Sequence, residues 1–250
     1  MDRAALLRAV AEAASATALG SDDTTEQRRL DGKRFEVRIR FGCAPTKPLD
    51  PRKSAEPKDA PFNVRFNEEK RTLRISAAPD LSLDDSTVAL VAGEGVEAVE
   101  GFWMNRPWLL SDGCVASPPP PTPSTPEQPT EKLTAKKSKV DEATTEAQAL
   151  PDAGRRVGLA QFFTMADSRT KRRDHRAYET TKVLDKDKQP SKQGYNLVLA
   201  GRLRQLQGDG VIACRMVGPD RPPECVASAE FDRVWIEDPT SRDVVAEWGN

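Results

Sequence analysis

The sequence predicts an all-β chain. It reads as two small antiparallel β-sandwich-like domains joined by a Pro-rich disordered linker, with a short N-terminal helix in front. Three observations carry this reading. Apolar residues alternate with polar ones at period two in several runs, as half-buried strands require. Ser117 to Pro129 reads SPPPPTPSTPEQP, with seven prolines in thirteen residues. Each proline fixes φ and lacks a backbone donor, so the stretch favours solvated polyproline II over helix or sheet. Finally, the four cysteines fall two before this stretch and two after it.

The predicted boundaries are a helix over 1–20, a β domain over 33–115, a flexible linker over 116–153 and an antiparallel β domain over 154–250. Residues 2–19 are Ala-rich with Leu6, Leu7 and Val10, and Gly20 fits the left-handed stop of a helix. Phe35, Val37, Ile39, Phe41 and Cys43 share one phase of a strand. Ala44 to Pro61, with five prolines and many charges, reads as a surface loop. Phe62–Phe66 and Thr72–Ser76 form a hairpin across Asn67–Lys70. Strands are expected at 87–92 and 96–103, joined by Gly93-Glu94-Gly95. Past the proline block the linker stays polar and poor in large apolar residues. Val157–Phe163 and Ala177–Leu184 read as strands. Tyr195, Leu197, Leu199, Gly201 and Leu203 give the strongest β signal. Gly208-Asp209-Gly210 is expected to turn this strand back onto Ile212–Met216 as a hairpin. Pro219–Pro223 turns the chain into Cys225–Ala229, and a last hairpin turns at Asp238–Ser241.

Cys43–Cys114 with Cys214–Cys225 is the pairing that keeps each bridge inside one predicted domain, and bridges imply an oxidising compartment. Met1–Gly20 does not read as a signal peptide, because Arg8 and Glu12 interrupt any apolar core. Periplasmic or secreted localisation therefore expects an export or anchor segment upstream of this chain. The alternative is a cytoplasmic protein with reduced thiols.

The formal net charge is −1. That balance argues against a dedicated nucleic-acid binder. No GxSxG, HExxH, P-loop, GxGxxG or EF-hand pattern occurs. The single histidine, His175, sits in the charged run TKRRDHRAY and reads as a solvated loop residue. The carboxylate pairs Asp84-Asp85 and Asp185/Asp187 lack the downstream ligands of a calcium loop. No metal, cofactor or catalytic residue is expected.

Two surfaces remain as candidates. Phe102, Trp103, Arg106 and Trp108 form a cluster of the composition found at partner interfaces. Arg169, Lys171, Arg172, Arg173 and Arg176 form the one dense basic run, a possible anion contact. The functional expectation is a non-enzymatic binding or structural module of the cell envelope or secreted fraction. Its partner would be a protein or envelope component, and it would meet a membrane only through a segment absent from this chain. The alternative is an intracellular binder of anionic polymer through Arg169–Arg176.

Overall fold

The computed structural model describes residues 1–21, 25–43, 60–104, 106–107, 109–111, 113–114, 156–167, 172–205 and 210–249. The chain opens with helix α1 (Arg3–Ala18). Asp2 caps it, its Oδ1 accepting from Ala5 N at 2.8 Å. Gly20, at φ 65°, ends it: Ser21 N donates to Ala16 O and Gly20 N to Thr17 O. That pair of bonds satisfies carbonyls left open by the last turn, and glycine takes the left-handed position at no steric cost. Leu6, Leu7, Val10, Ala13 and Ala14 face the core, so the helix is part of the folded body. A short turn, α2 (Thr25–Arg28), follows.

Ten strands follow among the described residues. They are β1 (Arg34–Phe41), β2 (Phe62–Asn67), β3 (Thr72–Ala77), β4 (Val96–Trp103), β5 (Val157–Thr164), β6 (Tyr178–Val183), β7 (Tyr195–Leu203), β8 (Ile212–Arg215), β9 (Glu224–Glu237) and β10 (Val244–Gly249). A third helix, α3 (Ser86–Ala92), precedes β4. The larger sheet runs β1-β7-β9-β5-β4, with β8 and β10 also pairing β9. The smaller sheet runs β2-β3-β6.

The mostly β character stands, but the strands do not segregate into two domains. β1 pairs antiparallel with β7 from Arg34↔Arg202 to Phe41↔Tyr195, and β3 pairs with β6 from Thr72↔Val183 to Ala77↔Tyr178. Both ladders join residues from opposite sides of the proline-rich stretch. Met1–Cys114 and Gly154–Asn250 belong to one compact unit, of which Val115–Ala153 are not part. The expected linker and the 44–61 loop up to residue 59 lie outside the described residues. The physical reason lies in β7 and β9. Tyr195–Leu199 are buried on both faces, as are Glu224–Ala229. Strands buried on both faces need covering layers on each side and neighbours on each edge, more than a small local meander supplies.

Three further expectations change. Residues 87–92 are helical. Asp85 Oδ1 accepts from Thr87 N at 2.9 Å and from Val88 N at 3.4 Å, capping α3. Val88, Val91 and Ala92 turn inward at helical spacing, while Leu90 faces out. β7 and β8 do not form a hairpin with each other, since both run antiparallel to β9. The sheet is also not purely antiparallel, because β5 runs parallel to β9 from Val157↔Cys225 to Ala160↔Ser228.

One core collects α1 with apolar residues of both sheets, including Val37, Ile39, Ile75, Phe102, Leu159, Leu199 and Ile236. A second, smaller cluster sits under α3, built from Leu81, Val88, Val91, Val99, Ala160 and Val226. β9 carries a register shift where Ala200↔Arg233 gives way to Gly201↔Phe231. Glycine is required there, because a Cβ on Gly201 would lie 1.9 Å from Glu230 O.

Candidate functional site

The two surfaces expected from the sequence lead to two polar clusters. The first lies where β4 ends. Phe102 is fully buried and packs near Phe62 and Tyr178, so it belongs to the core and cannot touch a partner. Trp103 is half-buried, and the Arg156 guanidinium lies 4.0 Å from its ring centroid. Arg156 Nη1 donates to Asp85 Oδ2 at 3.1 Å and lies 3.5 Å from Glu224 Oε1. The other Glu224 oxygen accepts from Thr87 Oγ1 at 3.1 Å. Trp103 N donates to Asp80 Oδ1 at 2.8 Å. Burial pushes the Asp80 carboxyl up to about 6, against the Trp103 hydrogen bond and the Arg156 charge, which pull it down.

This cluster is assembled by the fold. Asp80 precedes α3, Asp85 and Thr87 cap and begin it, Trp103 ends β4, Arg156 leads into β5 and Glu224 begins β9. Arg156 is 41% exposed, so the stack opens to solvent. Arg106, two residues beyond the buried Met104, is exposed. Its loop is held from beneath by the buried Arg3, whose Nη2 donates to Arg106 O and Nε to Leu109 O, both at 3.1 Å, while Nη1 reaches Arg38 O at 3.3 Å. Trp108 lies outside the described residues.

The second cluster surrounds the basic run. Arg169 and Lys171 lie outside the described residues. Arg172 turns inward: its Nη2 donates to Glu97 Oε2 at 3.0 Å and to Thr164 O at 3.1 Å. Arg173 lays its guanidinium 4.4 Å from the Tyr178 ring centroid and donates to Ala177 O at 3.3 Å. Arg176 is exposed and its Nε donates to Arg173 O at 2.9 Å. Internal partners thus engage Arg172 and Arg173, leaving Arg176 as the outward cation of the described part. His175 is exposed at φ 58°. Asp185 pairs with Lys188 at 3.3 Å in an exposed turn.

Behind Arg173 lies a buried carboxylate. Glu100 accepts from the Tyr178 hydroxyl and, at 3.3 Å, from Arg173 N. Burial, then the Glu100 charge and hydrogen bond, push the Tyr178 hydroxyl well above its usual range. The Trp248 ring meets Tyr178 edge-on at 5.3 Å. Gln161 Oε1 accepts from Phe231 N at 2.9 Å. That bond fills the gap on one side of β9 between the end of its pairing with β5 and the start of its pairing with β10. These side chains, with Arg233, line a small solvent-open cleft with about 20 Å³ of space, room for roughly one water.

Sequence reasoning missed Asp80, Arg156, Glu224, Glu100 and Trp248. Glu100 carried a usable signal, a carboxylate inside the otherwise apolar run Val99–Phe102. The others are brought together from separate elements.

Both expected cysteine pairs are disulfides, with Cα–Cα distances of 5.6 Å for Cys43–Cys114 and 4.0 Å for Cys214–Cys225. The pairing is the expected one, although all four residues belong to one unit. Two disulfides point to an oxidising compartment. Among the described residues no helix is long and apolar enough to cross a membrane, and no group of three His, Cys, Asp or Glu side chains is placed to hold a metal. No family model, curated protein or solved structure matches the chain.

Proposed function

We propose that this chain is a non-enzymatic binding module of the cell envelope or secreted fraction, which engages a protein or envelope partner through the surface around Trp103, Arg106 and Arg156. The compartment rests on the two disulfides. The contact rests on one observation: Arg156 stacked on a half-buried Trp103 at the solvent edge. Tryptophan and arginine dominate binding hot spots because they offer large area, few rotamers and directional donors. The stack is pre-organised by Asp85 and Glu224, so little side-chain entropy is left to lose on binding. Asp80 supports the reading from below, since a carboxylate held at about 6 is the kind of perturbed group that functional surfaces retain.

The test has two arms. Protein alkylated at lysis and weighed intact without reductant should carry no alkyl group, while four free thiols would sink the compartment assignment. Oxidised protein on a support should then retain a component of the envelope fraction of its source cells. Trp103→Ala and Arg156→Ala should each weaken that retention by about tenfold, roughly 1.4 kcal/mol. Undiminished retention by both variants would refute the surface.

A further inference from the structure

The two disulfides sit differently in the fold. The Cα atoms of Cys43 and Cys114 are 5.6 Å apart, inside the range a bridge ordinarily spans. Cys214 and Cys225 lie directly opposite one another on β8 and β9, with Cα atoms 4.0 Å apart. Cys225 N donates across the other edge of β9, to Arg156 O at 3.0 Å, so the two cysteines are a non-hydrogen-bonded pair of the β8–β9 ladder. Such pairs bring strands closer than the span of about 4.4 Å or more that most bridges take, and a bridge outside its usual span is more reducible. Access adds to this. Cys214 is half-buried, on a four-residue strand that pairs with β9 alone among the described strands. Cys225 is only 1% exposed. An incoming thiolate therefore meets Cys214 first.

This bridge fastens the floor of the Trp103 surface. Beside Cys225, Glu224 accepts from Thr87 Oγ1 at 3.1 Å and lies 3.5 Å from Arg156 Nη1. The Arg156 backbone is held by Cys225 N itself. Beside Cys214, Ala213 packs against the apolar cluster under α3. Asp85 caps α3 and accepts from Arg156 Nη1 at 3.1 Å. Both carboxylates that hold the Arg156–Trp103 stack thus rest on the strand pair that the bridge ties. With the bridge open, a short edge strand is left to hold by its ladder alone, and such elements open at low local cost.

We propose that Cys214–Cys225 is a thiol–disulfide exchange site that takes a reduced dithiol, and that opening it releases the Trp103 surface, a consequence that rests on the reading of that surface as a contact. A thiolate of the dithiol attacks Cys214 Sγ, the bond to Cys225 breaks, and Cys225 leaves as a thiolate that takes up a proton. The second thiol, once deprotonated, attacks the dithiol's own sulfur in the mixed disulfide and releases Cys214, which is protonated in turn. Two electrons and two protons pass to the chain, and the dithiol leaves as its disulfide. Cys43–Cys114 stays closed.

Timed treatment of the folded, oxidised chain with dithiothreitol, quenched by alkylation and mapped by peptide mass, tests the site. Cys214 and Cys225 should be alkylated at least about tenfold faster than Cys43 and Cys114. Hydrogen exchange on protein opened at that bridge alone tests the consequence. The amides of Thr87, Val88 and Trp103 should exchange at least about tenfold faster, and those of β1 and β7 at the parent rate. Cys214→Ser/Cys225→Ser should reproduce that pattern without reductant, and if it does not fold the selectively reduced parent decides. Equal rates at the two bridges, or opening of Cys43–Cys114 first, would overturn the proposal. So would unchanged exchange at the three named amides, or an increase that spreads through β1 and β7. Opened protein should lose about tenfold in partner retention and regain it on reoxidation, and full retention when open would overturn control of that surface. The alkylation and exchange readouts need no partner, so a failed Trp103 contact is told apart from a failed exchange site.

Discussion

Replacing Asp80 by Asn should make the protein more stable at neutral pH. Asp80 Oδ1 accepts from Trp103 N at 2.8 Å, and an asparagine oxygen can accept the same bond. What changes is the charge. Burial raises the Asp80 carboxyl from 3.8 to about 6. Between those values the folded chain holds a proton that the unfolded chain has released. Stability therefore falls as pH rises through that window, by about 1.4 kcal/mol per unit, and stays lower by about 3 kcal/mol above it. The attraction to Arg156 is already inside that shift, and the need to place a new amide N–H₂ takes back on the order of 1 kcal/mol. The expected net gain for Asp80→Asn is about 2 kcal/mol at neutral pH, shrinking toward zero near pH 4. Urea unfolding of both proteins at the two pH values measures it, with an unchanged m-value showing that the midpoint shift is stability alone. A variant less stable than the parent at neutral pH, or a gain of equal size at both, would refute the reasoning. A stabilising substitution that also weakens partner retention would show that the carboxylate is kept for function at a cost in stability.

Glu237 behaves in the opposite sense. Burial alone would raise its carboxyl, but hydrogen bonds from Asn196, Arg38, Arg242 and Trp235 hold it at about 2. Its stabilisation is complete above the ordinary value of 4.5 and lost as pH falls toward 2, so acid unfolding of Glu237→Gln should lack that component. Glu237→Ala, which leaves the Arg38 guanidinium and the Asn196 amide without this acceptor, should cost about 3–5 kcal/mol in urea. Gly201→Ala forces a Cβ against Glu230 O and should cost at least about 3 kcal/mol or prevent folding, read by circular dichroism and urea. Arg3→Met removes the donor to Arg38 O, Arg106 O and Leu109 O, and should cost about 2–4 kcal/mol while increasing amide exchange in the Arg106–Leu109 loop.

Local signals were legible in the sequence, and long-range ones were not. The alternation in Phe35–Phe41 gave β1 its buried face, and Gly20 gave α1 its end. The hairpin of β2 with β3 was legible because its turn and alternation are adjacent. Val88–Ala92 misled, since a short apolar run fits strand and helix alike until Asp85 is recognised as a cap. Partners distant in sequence could not be read, because period two says which face is buried and nothing about which edge is paired. The cysteine pairing came out right for a reason that fails, as the domain argument behind it does not hold. The Arg156–Trp103 stack was half visible: Trp103 stood out as an aromatic near a strand end, but the arginine reaches it only through the β4–β5 pairing.

The account rests on strands from both sides of residues 116–153 sharing their sheets. A protease site inserted at residue 130, followed by cleavage of the folded protein, tests this directly. Neither disulfide links the two pieces, since Cys43–Cys114 lies in the first and Cys214–Cys225 in the second. The account predicts that the pieces stay together through the β1–β7 and β3–β6 ladders, co-elute at the mass of the uncut chain and separate only in denaturant. Two pieces that elute apart, each folded by circular dichroism, would contradict it.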